Sequence, residues 1–168
     1  MKTFDIIVGV CKNNGIGFEN KIPWKIKEDM KFFKDITTNV DNPNQINAII
    51  MGRKTFESLK EEPLKNRLNI VISSKKYNNV LCYNNLQNAL NQLSSMREIE
   101  NIYVIGGETL YKEALLHKYC KYIYINVIDV DMTCDTFFPE INKEIYENIW
   151  RTIISERVHF LLYKNKLL

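Results

Sequence analysis

Apolar positions 26–36 repeat at about 100° per residue: Ile26, Met30, Phe33, Phe32 and Ile36 fall on one side, with Lys27, Lys31, Lys34, Glu28 and Asp35 opposite. This pattern predicts an amphipathic helix. Residues 4–11 form a nearly continuous apolar run, as a central strand covered on both faces would. Residues 48–51 read as a short buried strand, followed at once by Gly52 and a helix running to about Leu59. Strands are predicted over 68–74, 80–83 and 101–105, and over 122–128, where Ile123, Ile125 and Val127 alternate with Tyr124 and Asn126. Leu86, Ala89, Leu90 and Leu93 mark a second amphipathic helix, and Leu110, Ala114 and Leu115 another that follows Gly106-Gly107. Residues 149–156 and 158–165 predict a hairpin across Glu156-Arg157, and the polar segment 39–47, with Pro43, a loop.

One residue breaks the first pattern. Asp29 lies between Phe33 and Ile36 within the apolar stripe, where an ionised carboxylate is costly unless something pairs with it. A first-turn acid stabilised by the helix dipole is the plain alternative. Upstream, Gly15-Ile16-Gly17 is expected to form a flexible loop using backbone conformations closed to other residues, ended by the fixed φ of Pro23 and the single donor of Trp24. Gly9, inside a strand, suits either a close ligand or a tight helix contact.

Composition narrows the class. The chain has 168 residues, 45% hydrophobic and 26% charged, which suits one compact domain over 1–168; no repeat or linker interrupts it. A net charge of +3, evenly spread, gives no basic stripe for nucleic acid. Cys11, Cys82, Cys120 and Cys134 show no metal-ligand spacing, so no metal is expected and free thiols in a reducing cytoplasm are. Asp5 interrupts the amino terminus and the run over 6–11 is far shorter than a membrane span, so neither a secretory signal nor a membrane is expected.

Other candidate chemistry sits where strands end. Gly52-Arg53-Lys54-Thr55 puts two cations in the first turn of a helix, against the helix field, which an anionic ligand would explain. Ser73 and Ser74 end another predicted strand, and Gly106-Gly107 follows a third, although the pair lacks the full dinucleotide-binding spacing. Lysine outnumbers arginine 18 to 5, so Arg67, alone in its neighbourhood, is either solvated or chosen for its planar fork.

In order along the chain, GIG with Pro23-Trp24 and Asp29, then IMGRKT, VIGGETLY and DTFFP resemble dihydrofolate reductase, and the likeness spans essentially the whole sequence. The resemblance implies a single α/β domain, with a mostly parallel sheet of about eight strands, helices on both faces and an antiparallel C-terminal hairpin. It implies an oxidoreductase that moves a hydride from NADPH to C6 of 7,8-dihydrofolate, serving one-carbon metabolism. Asp29 would bind the 2-amino group and N3 of the pterin and favour protonation at N5, with Trp24 and Asn126 beside it. Val8, Phe33, Leu59 and Ile105 would line the substrate pocket, and Arg67 would grip the α-carboxylate of the glutamate tail. Gly9, Ile16 and Gly17 would face the nicotinamide with Tyr111. Gly52, Arg53, Lys54 and Thr55 would hold phosphates, as would Gly106, Gly107, Glu108, Thr109 and Leu110, with Ser73 and Ser74 against the adenosine. The two glycines of VIGGETLY are joined by a cis peptide in that family. A fusion or association with thymidylate synthase is also compatible.

The chain departs from the family pattern at three positions: Gly9 stands where Ala is common, Phe56 where Trp is, and Asn126 where a Thr pairs with the pocket acid. Two other functions fit parts of the sequence. A reductase of a pyrimidine intermediate in riboflavin synthesis explains the phosphate sites but not Asp29 beside Trp24. A catalytically silent nucleotide-binding module explains the fold alone.

Overall fold

The computed structural model describes residues 1–168. Its centre is an eight-stranded sheet in the order β5-β4-β3-β6-β1-β7-β10-β9, formed by β1 (Phe4–Val10), β3 (Ile46–Gly52), β4 (Leu68–Ile72), β5 (Leu81–Tyr83), β6 (Ile99–Gly106), β7 (Cys120–Ile128), β9 (Tyr146–Ser155) and β10 (Val158–Asn165). From β5 to β7 every neighbouring pair is parallel, whereas β10 is antiparallel to both β7 and β9. The expected α/β architecture, with its C-terminal hairpin turning at Glu156-Arg157, is the one observed.

Strand alternation divides the core into two layers. Phe4, Ile6, Val8 and Val10 of β1 pack with Ala48, Ile50 and Val104 beneath α3 (Leu86–Ser94) and α4 (Glu108–Leu115), which contribute Leu90, Leu93, Leu110 and Ala114. On the opposite face, Ile7, Ile49, Met51, Val71 and Tyr103 meet α1 (Lys27–Thr38) and α2 (Arg53–Ser58) through Phe32, Phe33, Ile36, Phe56 and Leu59. Burying each such large side chain contributes about 1.5–3 kcal/mol before entropy is counted, which is why helices sit on both faces. Phe56 is fully buried with its ring edge-on to Tyr77.

The α1 stripe is narrower than its periodicity suggests. Met30 is 54% exposed, because the helix meets the sheet along Phe32, Phe33 and Ile36, and Met30 lies about a quarter-turn beyond that line. Asp29 stays near the stripe's middle. Element ends shift by a few residues: β4 stops at Ile72, leaving Ser73 and Ser74 beyond it, and β9 begins at Tyr146.

The Gly15 segment differs more. It forms a short strand, β2 (Gly15–Gly17), paired antiparallel with β8 (Thr136–Phe137) from the DTFFP motif. Neither glycine has a positive φ; Asn14, Glu19 and Asn20 take those conformations instead. Glycine is required by packing, since a Cβ on Gly15 would collide with the Cys134 sulfur and one on Gly17 would stand 2.7 Å from the Thr136 hydroxyl. No helix is long and apolar enough to cross a membrane.

Candidate active site

Because β3, β6 and β1 run parallel, their carboxyl ends share one edge of the sheet, where open α/β sheets collect ligands. Asp29 reaches this edge from the first turns of α1. Trp24 Nε1 donates to its Oδ2 at 3.1 Å, and Asn126 Nδ2 donates to its Oδ1 at 3.1 Å. Both donors are fixed: Trp24 is buried with Cys11, Ile26, Ile128 and Val158, and Asn126 is a buried residue of β7. The predicted trio of Asp29, Trp24 and Asn126 is therefore assembled. A carboxylate offers about four lone-pair positions, and these bonds use two, so the half-buried group can still accept from a ligand.

Gly9 is the cross-strand partner of Asn126. A Cβ at Gly9 would stand 3.2 Å from each Asp29 oxygen, so the missing side chain is what lets the carboxylate lie against β1. Half-buried Phe33, Leu59 and Ile105 surround this side of the sheet. Val8 does not join them. Period-two alternation turns its side chain into the layer beneath α3 and α4, and Ile7 takes the α1 side.

Across the edge, the IMGRKT and VIGGETLY motifs converge. Gly106 and Gly107 are joined by a cis peptide, and Gly106 has φ +132°. A Cβ on either glycine would come 3.5 Å from the Thr55 hydroxyl, and one on Gly52 would approach Gly106 O at 3.8 Å. Gly52 and Gly107 cap α2 and α4 without any side-chain bond, leaving first-turn N–H groups free for a ligand. Tyr111 donates its hydroxyl to Ile7 O at 2.9 Å and packs edge-on against Phe138; burial drives its phenol well above the ordinary range. Leu110 is buried in the core, so only its backbone can serve the edge, whereas Thr109 is exposed and Glu108 half-buried. Ser73 and Ser74 lie just past β4, with Ser73 Oγ accepting from Lys75 N. Arg53 is paired with Glu57 one turn along α2, while Lys54 is exposed with no acidic partner. Half-buried Ile16 and buried Gly17 lie on β2.

Arg67 is half-buried at the other end of α1. Its Nη1 donates to Thr37 Oγ1 at 3.0 Å, its Nε to Lys65 O at 2.9 Å, and its guanidinium lies 5.9 Å from the Phe33 ring centre. Burial lowers its pKa, yet no carboxylate of this chain pairs with it. Thr37, which the sequence reading missed, is fully buried and donates to Phe33 O at 2.7 Å, leaving its oxygen to receive Arg67. Its signal was a hydroxyl two turns beyond Asp29 on the sheet side of α1.

The family model described as Dihydrofolate reductase matches residues 3–162. The chain belongs to the dihydrofolate reductase family. The dihydrofolate reductase of Aedes albopictus is 39% identical over 154 residues, covering 86% of this chain and 83% of that protein. That of Drosophila melanogaster is 40% identical, with 88% and 85% covered. A bifunctional dihydrofolate reductase-thymidylate synthase of Daucus carota is 36% identical over 87% of this chain, which spans 30% of that relative's length. Gly9 and Asn126 face each other across adjacent strands, and both border the Asp29 carboxylate.

Proposed function

We propose that this chain, as one domain over 1–168, reduces 7,8-dihydrofolate to 5,6,7,8-tetrahydrofolate with NADPH, taking up one proton and releasing NADP⁺. The observation that carries the reading is the Asp29 carboxylate, held by two donors and still able to accept, at the sheet edge that bears the double-glycine turn. An acceptor pair of this kind suits the adjacent N–H donors of a pterin's 2-amino group and N3. A carboxylate there also favours positive charge, so it supports protonation at N5 and makes C6 the electrophile. Trp24 and Asn126 act through Asp29 by fixing its plane. Phe33, Leu59 and Ile105 supply apolar walls that exclude water, and Arg67, steadied by Thr37, takes the substrate's α-carboxylate in a forked pair.

The residues fit NADPH. Bare backbone at Gly52, Gly106 and Gly107 around the Thr55 hydroxyl leaves room for phosphate oxygens, with uncapped N–H groups of α2 and α4 directed there. Lys54 and Arg53 would hold the 2′-phosphate, Ser73 and Ser74 the adenosine side, and Glu108, Thr109 and Leu110 would contribute the start of α4. Gly9, Ile16, Gly17 and Tyr111 would border the nicotinamide. When bound, the cofactor supplies the hydride; the protein's part is positioning and a fixed electrostatic field. A role in one-carbon metabolism follows from this chemistry, and the bifunctional relatives support a fused or associated thymidylate synthase.

Mixing the protein with NADPH and dihydrofolate should deplete nicotinamide absorbance in proportion to tetrahydrofolate formed. Absence of that loss, with both ligands shown to bind, would leave a nucleotide-binding module and sink the reading.

A further inference from the structure

Two thiols far apart in the chain meet beneath the glycine segment. Cys11 follows β1 and is buried; Cys134 lies between β7 and β8 and is half-buried; their sulfurs are 3.7 Å apart and both are free. The Cys134 sulfur lies in the space a side chain on Gly15 would need, so it sits between the end of β1 and the backbone of β2. Around the pair, the two segments are joined by hydrogen bonds, by the packing of Gly15 on Cys134 and Gly17 on Thr136, and by an ion pair from Lys12 to Asp129 at 3.1 Å. Asp135 N donates to Gly17 O at 2.9 Å, Phe138 N to Asn14 O at 2.9 Å, and Glu19 N to Asp135 Oδ2 at 2.9 Å. An open crevice of about 600 Å³, lined by Phe18, Ile22, Pro23, Asp131 and Met132 among others, separates the segments farther out. The thiols stand at the base of the line along which the two segments meet.

We propose that Cys11 and Cys134 form a redox-responsive pair, converted by a small-molecule disulfide such as oxidised glutathione into a bond that clamps β2 onto β8. Cys134, the more accessible thiol, loses its proton and attacks one sulfur of the oxidant, releasing one glutathione thiol and leaving a mixed disulfide. The deprotonated Cys11 sulfur then attacks Cys134 Sγ and displaces the second glutathione. Two electrons and the two thiol protons thus pass from the cysteines to the two glutathione molecules. Bond formation needs a sulfur separation of about 2.05 Å, so the two sulfurs must close in from 3.7 Å. Burial, then the hydrogen bond and charge of Cys11, push the Cys134 thiol up to about 11, aided by Asp135 and opposed by the Gly17 backbone. Exchange is accordingly slow in neutral solution and faster in alkali.

The effect of the clamp on turnover rests on the reductase reading, in which the glycine segment closes over the nicotinamide. The full chain is incubated with oxidised glutathione in mildly alkaline buffer, then assayed by peptide mapping, by trypsin cleavage after Lys12 and Lys21, and by turnover with saturating NADPH and dihydrofolate. Expected are a linked Cys11–Cys134 peptide, severalfold slower cleavage at both lysines and severalfold lower turnover. Dithiothreitol should reverse all three, and Cys134→Ser should show none while keeping its basal turnover. Oxidation confined to Cys82, or a linked peptide with unchanged cleavage, would overturn the proposal. A reduced protein without turnover would count against the reductase reading instead, while the peptide map and cleavage rates would still decide the clamp.

Discussion

Gly9→Ala is a single-methyl test of how Asp29 is held. The new carbon would stand 3.2 Å from both carboxylate oxygens, so the carboxylate must retreat by a few tenths of an ångström. That retreat lengthens the 3.1 Å bonds from Trp24 and Asn126, each charge-assisted. Such bonds are worth about 1.5–3 kcal/mol apiece, and weakening both by a fraction removes ~1 kcal/mol of transition-state stabilisation, about fivefold in kcat/KM. Folding stability should move the other way or not at all, because Gly9 lacks a positive φ and alanine reduces the freedom of the unfolded chain, by about 0.4–1 kcal/mol. Asn126→Thr substitutes a shorter donor on the facing strand, giving the displaced carboxylate somewhere to settle. The double variant should therefore lose less than the two singles combined, with a coupling of at least ~0.5 kcal/mol. Steady-state kinetics with dihydrofolate, alongside urea melts, measure both quantities. Additive kinetic effects, or an activity loss that merely follows lost stability, would refute the idea that Gly9 and Asn126 form one compensating pair around Asp29.

Three further outcomes follow from the geometry. Lys54→Ala should raise KM for NADPH roughly tenfold and Arg53→Ala less, because Glu57 already engages Arg53; the NADH constant should barely change, and equal losses with both cofactors would remove the phosphate role. Thr37→Val and Arg67→Lys should each weaken dihydrofolate while sparing a pterin without the glutamate, by roughly tenfold for Arg67→Lys; titrations showing equal weakening would make Arg67 structural. Burial pushes the Asp5 carboxyl from 3.8 up to about 7, opposed by the Tyr122 N–H and Lys121. The folded state thus binds this proton more tightly than the unfolded one, and stability falls as pH rises between those values. Asp5→Asn should raise the thermal midpoint at about pH 8 and do little at about pH 4. A rise from 3.8 to about 7 sets a ceiling near 4 kcal/mol, which partial exposure lowers to roughly 1–2 kcal/mol; a gain equal at both pH values would contradict this.

Much of the site is legible in the residues themselves. Asp29 stands out because a charge at the centre of an apolar stripe contradicts the pattern, and the glycine turns stand out because strand ends with missing side chains invite ligands. What escaped depends on tertiary approach. The glycines of β2 read as flexible, yet their absent side chains serve contact with Cys134 and Thr136, residues more than a hundred positions away. Val8 and Ile7 are chemically alike, so only the register of β1 decides which faces α1. Thr37 looked like an ordinary helix residue until Arg67 was brought beside it across the loop. The approach of Gly9 to Asn126 requires the pairing of β1 with β7, and its approach to the acid requires α1 to lie over β1, contacts between segments with no local signal in common.

The central claim is that Asp29 supports protonation of the substrate at N5 as hydride arrives, and single-turnover hydride transfer measured against pH, for the unaltered chain and Asp29→Asn, tests it most directly. The unaltered protein should transfer hydride well near neutrality. Asp29→Asn should be most impaired there, by about a hundredfold or more if general-acid support is lost, and should recover in acid as solvent supplies the proton. An impairment of equal size at every pH, or a variant as fast as the unaltered protein, would contradict the account.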